Sequence, residues 1–451
     1  MDRKDNNFAK HILPWIVCSL AALFYFYEFV LRVAPSVMVN DMMGQFGINA
    51  AQFGILTAFY YYAYTPMQMV VGVLIDKFGP RKLLSFSIIA CFAGSFLISM
   101  VPSYLAGKIA IFMMGFGSSF AFVSVVKLAV NWMPPNRLAF VTGISTMLGL
   151  IGGICAEALM EKVVTAYGWM NAWYYMGFIG IAILILTLLF VHDHPKDKKE
   201  MHHETAITCI FKLLKELKDI LKKPAFLING IIGGITFLPI SLFGSLWGIP
   251  FLEHAAGLSH TDAANTLPII FLGMAIGCPL FGLLSERIKK RKVLIQANIV
   301  AVAILFSLVL FIPTMPITLL KLTLLTMGFM TGAQVLVFPI GVELTSKAIA
   351  GTAVAATNFL VMLNLMFLQP LVGKILDMQW TGKIVNGVNF YSAESYQHAM
   401  LIVPIAFVIG LALSFMVKET HPEYIKDKVA HKKSQPSQES SLELDSDLVK
   451  A

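Results

Sequence analysis

The sequence predicts an all-α membrane protein in which twelve spanning helices form two pseudo-symmetric six-helix bundles. Three observations predict it. Of 451 residues, 57% are apolar and 13% charged, about half the charged share of a soluble chain. Apolar runs of about 20 residues, enough to cross a hydrocarbon core of about 30 Å, recur along the chain. One loop sequence also occurs twice, at equivalent places in the two halves.

The runs lie at 12–40, 51–75, 83–101, 105–133, 138–160 and 171–191, then at 226–252, 263–284, 293–312, 317–342, 351–376 and 396–417. This divides the chain into an N-terminal bundle (1–191), a cytoplasmic connector (192–225), a C-terminal bundle (226–417) and a disordered cytoplasmic tail (418–451). The first run follows Arg3, Lys4 and Lys10, but it is long, holds Glu28 and Arg32 and has no small-residue cleavage site, so it reads as a retained span. The connector begins His192-Asp193-His194-Pro195, then Lys196, Lys198 and Lys199. Its second half alternates Lys212, Lys215, Lys218, Lys222 and Lys223 with Ile210, Leu213, Leu214, Leu217, Ile220 and Leu221. That pattern suits an amphipathic helix on the membrane surface or a solvated linker. The tail has too little apolar surface to fold alone.

The net charge of +8 sits between the apolar runs, as membrane topology requires, and does not point to nucleic acid. With the N-terminus in the cytoplasm, 27 Lys and Arg fall on cytoplasmic segments and five (Lys108, Lys162, Lys321, Lys374, Lys383) on periplasmic ones; Arg32 and Lys127 lie within spans. The bias predicts a multi-pass inner-membrane protein with both termini cytoplasmic, expected to act as a monomer in the lipid bilayer. Five cysteines include no CxxC pair, so neither a metal site nor a cofactor is expected.

The repeated loop reads Gly72-x-x-x-Asp76-Lys77-Phe78-Gly79-Pro80-Arg81-Lys82 after span 2 and Gly282-x-x-x-Glu286-Arg287-x-x-x-Arg291-Lys292 after span 8; glycine, acid and basic pair are each displaced by 210 residues. With the Gly115-Phe116-Gly117-Ser118-Ser119 stretch, the Trp132-Met133-Pro134-Pro135-Asn136-Arg137 loop and Gly149-x-x-Gly152-Gly153, the chain resembles the major facilitator superfamily. The stretches FYEFVLRVAPSVM and GSLWGIPFL also resemble a bacterial inner-membrane branch distantly similar to lysosomal dipeptide transporters. The loop glycines allow close helix approach, and an acid beside a helix N-terminus gains from its unpaired N–H groups. The resemblance implies that Asp76 faces the start of span 11 near Gly351-Thr352 and Glu286 the start of span 5 near Leu138. Both contacts would break when the cytoplasmic side opens.

Glu28 and Arg32, four apart in span 1, share a helix face and lie about 22 and 28 Å along it from Leu13. Charges at that depth cost at least about 2.5 kcal/mol each, so they face a cavity or each other and mark a solute or ion path. Arg32 offers a planar donor fork to a carboxylate; Glu28 would bind an amine or carry a proton; the bland reading is a mutual salt bridge. Lys127 is read as snorkelling to the interface, and Glu157 and Glu343 as interface or gate residues. Tyr60, Tyr64 and Gln68 recur at i, i+4 and i+8 of span 2, where Pro66 predicts a kink. Trp247 and Ser245 in span 7, Gln334 in span 10, and Asn358 and Asn364 in span 11 are further candidates for the lining.

The function expected is secondary transport by alternating access, coupled to protons, of a small polar or zwitterionic solute such as an amino acid or short peptide. An organic anion or metallophore-like carboxylate is the alternative cargo, and a non-transporting sensor the alternative class. No GxxxxGK[ST], HExxH or GxSxG occurs, so neither a primary pump nor an enzyme is expected.

Overall fold

The computed structural model describes residues 12–134, 137–194, 206–345 and 349–421; Pro135 and Asn136 of the Trp132 loop, the first part of the connector and most of the tail lie outside these. Among the described residues eleven rods are long and apolar enough to cross a membrane: Leu13–Val37, Pro80–Met100, Tyr104–Trp132, Phe140–Tyr167, Trp169–Phe190, Pro224–Ala255, His260–Ile288, Lys292–Phe311, Ile317–Glu343, Ala350–Met378 and Ala393–Met416. Helix Ala50–Met67, 18 residues long, stands between the first two and fills the place of span 2. Gln52, Tyr60, Tyr61, Tyr62 and Tyr64 make it less apolar than its neighbours. With it the rods number six on each side of the connector, and they are called spans 1 to 12 below. Many outward-facing side chains are large and apolar, Phe178, Leu189, Leu283, Phe311 and Val408 among them. In water such a surface would aggregate, whereas a bilayer solvates it.

Local chemistry sets the breaks. Asn49 and Gln52 form a reciprocal capping box at the start of span 2, and the helix ends one residue past Pro66, whose missing N–H weakens the preceding turn. A short helix, Val71–Phe78, follows, then Gly79 at φ +83° and Pro80 at the first turn of span 3. That φ suits glycine alone among common residues. Span 7 turns π-helical over Pro239–Trp247, and span 10 tightens to 3-10 over Gly332–Leu336. Between spans 11 and 12, Ile384–Val385 pairs antiparallel with Val388–Asn389. Asn386 (φ 51°) and Gly387 (φ 80°) supply the two positive-φ positions of a type I′ hairpin turn.

The ends bearing Asp76 and Glu286 define a basic face; the opposite ends define a far face. On the far face the halves are tightly joined. A Cβ on Gly373 of span 11 would lie 2.2 Å from the Ala50 carbonyl oxygen, and one on Gly54 of span 2 would lie 2.5 Å from that of Gln369. Spans 5 and 8 close beside them: Gly153 packs on the Phe271 ring, and Thr261 donates to Glu161 at 2.7 Å. On the basic face Gly72, Gly143, Gly282 and Gly351 have no atom within 4 Å of a Cβ position. Gly72 and Gly282 of the repeated loop therefore do not pack against a neighbouring helix in this conformation, contrary to expectation, while Gly79 abuts the Asp193 carboxylate.

The connector helix, Ala206–Leu221, buries Leu213, Leu217 and Ile220 against Phe226, Ala353 and Ala356, with Met69, Val70 and Val73 at the edge. That part of its apolar stripe packs on protein from both halves, while Phe211 and Leu214 stay exposed on another face.

Candidate solute site

Span 1 carries Glu28 and Arg32 on a face inside the protein, with side chains 0% and 6% exposed. Arg32 Nη2 donates to both Glu28 oxygens at 3.0 Å, and its Nε donates to the Tyr60 hydroxyl at 3.2 Å. That hydroxyl donates in turn to Glu28 Oε2 at 2.8 Å. The guanidinium carbon lies 4.4, 5.4 and 4.8 Å from the ring centroids of Phe29, Tyr60 and Tyr64, so three aromatic faces also stabilise the cation. A void of about 10 Å³ beside Arg32 is lined by Thr57, Tyr60 and Tyr61 from one half and Ser245, Leu246 and Gln369 from the other. It holds about one water. The charged pair thus sits at the seam between halves, beside a void too small for anything larger than water.

The remaining predicted lining residues separate into groups. Tyr64 stacks on Tyr60 with centroids 5.7 Å apart. One turn further, Gln68 donates to the Ser119 carbonyl at 3.3 Å and accepts from Asn358 of span 11 at 3.1 Å, which joins the halves. Trp247 is fully buried, edge-on to Phe53 at 6.0 Å, and lines a different cavity of about 120 Å³ near the far face with Asn40, His254 and Tyr391. Gln334 is buried in the 3-10 segment of span 10, and the Asn364 amide abuts Gly234 of span 7. Among the described residues no hydrogen bond joins Trp247, Gln334 or Asn364 to Arg32. Gln369, 2% exposed with Oε1 unpartnered, was missed. As a lone amide in an apolar run it carried the same signal as Asn358.

The far face is latched by charge as well as by packing. Asp377, at the end of span 11, accepts from the backbone N–H of Ala50 at 3.2 Å and of Ala51 at 2.9 Å, capping span 2 across the seam. Tyr391 donates to the same carboxylate; burial, then that carboxylate, raises the phenol above its ordinary range, so it remains a donor. Sequence reasoning missed this latch, although Gly373-x-x-x-Asp377 repeats the glycine-acid spacing of the loop motif.

On the basic face the expected pairings are not made. Asp76 bonds Lys127 of its own half at 2.9 Å and not the start of span 11, so Lys127 is an ion-pair partner and not only a snorkelling residue. Thr352 at the start of span 11 donates instead to Glu216 of the connector helix at 2.8 Å. Glu286 bonds Arg291 at 3.1 Å and His421 at 3.3 Å and not the start of span 5, while Arg291 also pairs with Glu343 at 2.8 Å. The halves meet closely on the far face, while Gly72, Gly143, Gly282 and Gly351 on the basic face have open space beside them.

The rest of each motif anchors its own half. The Arg81 N–H donates to Asp193 at 2.6 Å, and its guanidinium to the Leu188 carbonyl. In the other half the N–H groups of Arg291 and Lys292 donate to Glu419 at 3.0 Å. Asp193 and Glu419, both read as linker or tail, thus cap spans 3 and 9 in parallel. Lys77 lies in the short helix before Gly79, and Lys82 and Arg287 are exposed.

The comparisons agree with this architecture. The probable sulfoacetate transporter of Cupriavidus necator is 26% identical over 303 residues, covering 64% of this chain and 67% of that protein. The hexuronate transporter of Bacillus subtilis is 22% identical over 308 residues, covering 66% and 71%. The crystal structure of a bacterial homolog of the human lysosomal transporter Spinster, inward-facing and occupied, superposes with a TM-score of 0.70 at 16% identity, over 89% of this chain and 96% of that one. The profile of the Major Facilitator Superfamily matches residues 17–368, a stretch that holds the Glu28/Arg32 seam and both copies of the loop motif; the chain belongs to that superfamily and is a multi-pass membrane transporter of the secondary, alternating-access kind.

Proposed function

We propose that this protein carries a small organic anion together with protons, and that Arg32 is its carboxylate ligand. The observation that carries the proposal is a buried guanidinium at the seam between halves whose carboxylate partner, Glu28, lies on its own helix. A solute acid entering the void competes with Glu28 for the same donor fork. Two carboxylates cannot share one buried cation without a large electrostatic cost, so Glu28 takes up a proton as the solute displaces it. Anion and proton then cross together with charge balanced. Tyr60, which hydrogen-bonds both Arg32 and Glu28, holds the released Glu28 acid in place, and Tyr64 and Phe29 wall the guanidinium.

The names of the relatives favour this cargo over an amino acid or peptide, because sulfoacetate and hexuronates are acids. The basic face is assigned to the cytoplasm and the membrane to the inner membrane, on the 27-to-5 distribution of Lys and Arg. We take the working unit to be a monomer in lipid.

A thermal-shift panel on the purified protein tests the cargo class, since a ligand raises apparent stability by mass action. Sulfoacetate or a hexuronate should stabilise wild type, whereas amino acids and dipeptides should not. Arg32→Lys and Arg32→Ala should abolish the shift. Stabilisation by a zwitterion alone would overturn the anion assignment.

A further inference from the structure

Glu157 of span 5 stands outside the mechanism just described. Its side chain is 0% exposed, and neither carboxyl oxygen has a hydrogen-bond partner among the described residues. Counting from Leu138 at 1.5 Å per residue, it lies about 28 Å into a helix about 45 Å long, inside the membrane on the far side of centre. The helical phase places it: Gly153, one turn before, packs on Phe271 of span 8, and Glu161, one turn after, accepts from Thr261 at the start of span 8. Residues at i, i+4 and i+8 share a face, so Glu157 lies between these two contacts, in the seam that closes the far face.

Among the described residues no cation pairs with it. From span 1, Arg32 is bonded to Glu28; from span 4, Lys127 pairs with Asp76 and Lys108 lies over the Tyr104 ring. Span 6 brings no charged side chain, and span 5 itself adds Glu161 and Lys162. From the start of span 8 come Asp262, which accepts from Ser259, and His260, which bonds Glu253. The polar neighbour is the Ser36 hydroxyl, near enough to act on the carboxyl but outside hydrogen-bond geometry. An ionised carboxylate with no cation and at most one neighbouring hydroxyl is strongly disfavoured in such a place, and a neutral acid avoids that cost.

We propose that Glu157 is a proton-binding site of the far-face seam, distinct from Glu28: the seam closes on the protonated acid, and when spans 5 and 8 part the carboxyl meets water and gives its proton to it. The step is balanced by one proton alone, bound on closing and released on opening. It needs only the alternating-access reading above, not the identity of the cargo. Far-face closure is then favoured at low pH, and the closed-to-open ratio falls by up to about tenfold per pH unit while the opened form is ionised.

Spin labels on exposed Gln45 and Glu394, at the far ends of the two halves, would report that ratio without solute across the neutral pH range. Wild type should open as pH rises. Glu157→Gln, a neutral isostere, should stay closed with no pH slope, Glu157→Asp should retain a slope, and so should Glu28→Gln, which removes the carrier proposed above. A wild-type slope in Glu157→Gln, or none in wild type, overturns the site; a slope lost in Glu28→Gln but kept in Glu157→Gln assigns the proton to Glu28 instead. Should Glu157→Gln fold poorly, the infrared carbonyl band of a protonated acid in wild type, moved in the carboxyl-retaining Glu157→Asp, serves as the second readout; its absence from wild type rejects the proposal.

Discussion

A single methyl group should reopen the far face. In Gly373→Ala the new Cβ would sit 2.2 Å from the Ala50 carbonyl oxygen and 2.8 Å from the Ala51 Cα, where carbon and oxygen need about 3.2 Å or more to avoid overlap. The opposing atoms are backbone, so spans 2 and 11 must part by about an ångström. Overpacking of this kind typically costs about 1–3 kcal/mol. Because the clash exists only while the far face is closed, the whole cost falls on that state, and the closed-to-open ratio should drop about 5- to 150-fold. Distances between labels on Gln45 and Glu394 measure the shift directly, and Gly54→Ala, from the other side of the seam at 2.5 Å, should reproduce it. An unchanged distance distribution in both variants, with normal thermal stability, would refute the claim that glycine packing sets the closed state.

Three other outcomes follow from the same contacts. Asp377→Asn weakens the cap on span 2, and a charge-assisted contact of this type is worth about 1–2 kcal/mol; the far face should open about 5- to 30-fold more often by the same distance measurement, and Tyr391→Phe should do so to a smaller degree. Glu216→Ala removes the acceptor of Thr352 at the start of span 11 and should lower the closed-far-face population by about 2- to 10-fold for a loss of about 0.5–1.5 kcal/mol, read as slower labelling of a cysteine placed at Gly351 on the basic face. Arg32→Lys keeps the charge but loses the fork. Anion affinity, measured by calorimetry, should fall at least about tenfold while the far-face distances stay as in wild type.

The sequence made the twelve rods legible because the bilayer imposes one length and one polarity on each of them. Span 2 was legible as a run at 51–75 although its tyrosines dilute the apolar signal that marks the others. Glu28 and Arg32 could be placed because an i, i+4 spacing fixes a shared face whatever surrounds it, and Tyr60 joined them through its own helical spacing with Tyr64 and Gln68. The seam was less readable. Which carboxylate meets which helix depends on how the two halves come together, and the pairings expected of Asp76 and Glu286 are not the ones made here. Asp193 and Glu419 lay in stretches read as connector or tail, because a cap needs one short contact and leaves no periodic pattern. Trp247, Gln334 and Asn364 were polar or aromatic in the right runs, but a single polar residue in an apolar helix does not fix which neighbour it meets.

The central claim is that an organic anion crosses with protons on the Arg32/Glu28 pair. Uptake of radiolabelled sulfoacetate or hexuronate into proteoliposomes, with and without an inwardly directed pH gradient, tests it most directly. The account predicts accumulation above the external concentration only with the gradient, equilibration without accumulation in Glu28→Gln, and no uptake in Arg32→Ala. Gradient-independent uptake by wild type, or full accumulation by Glu28→Gln, would contradict it.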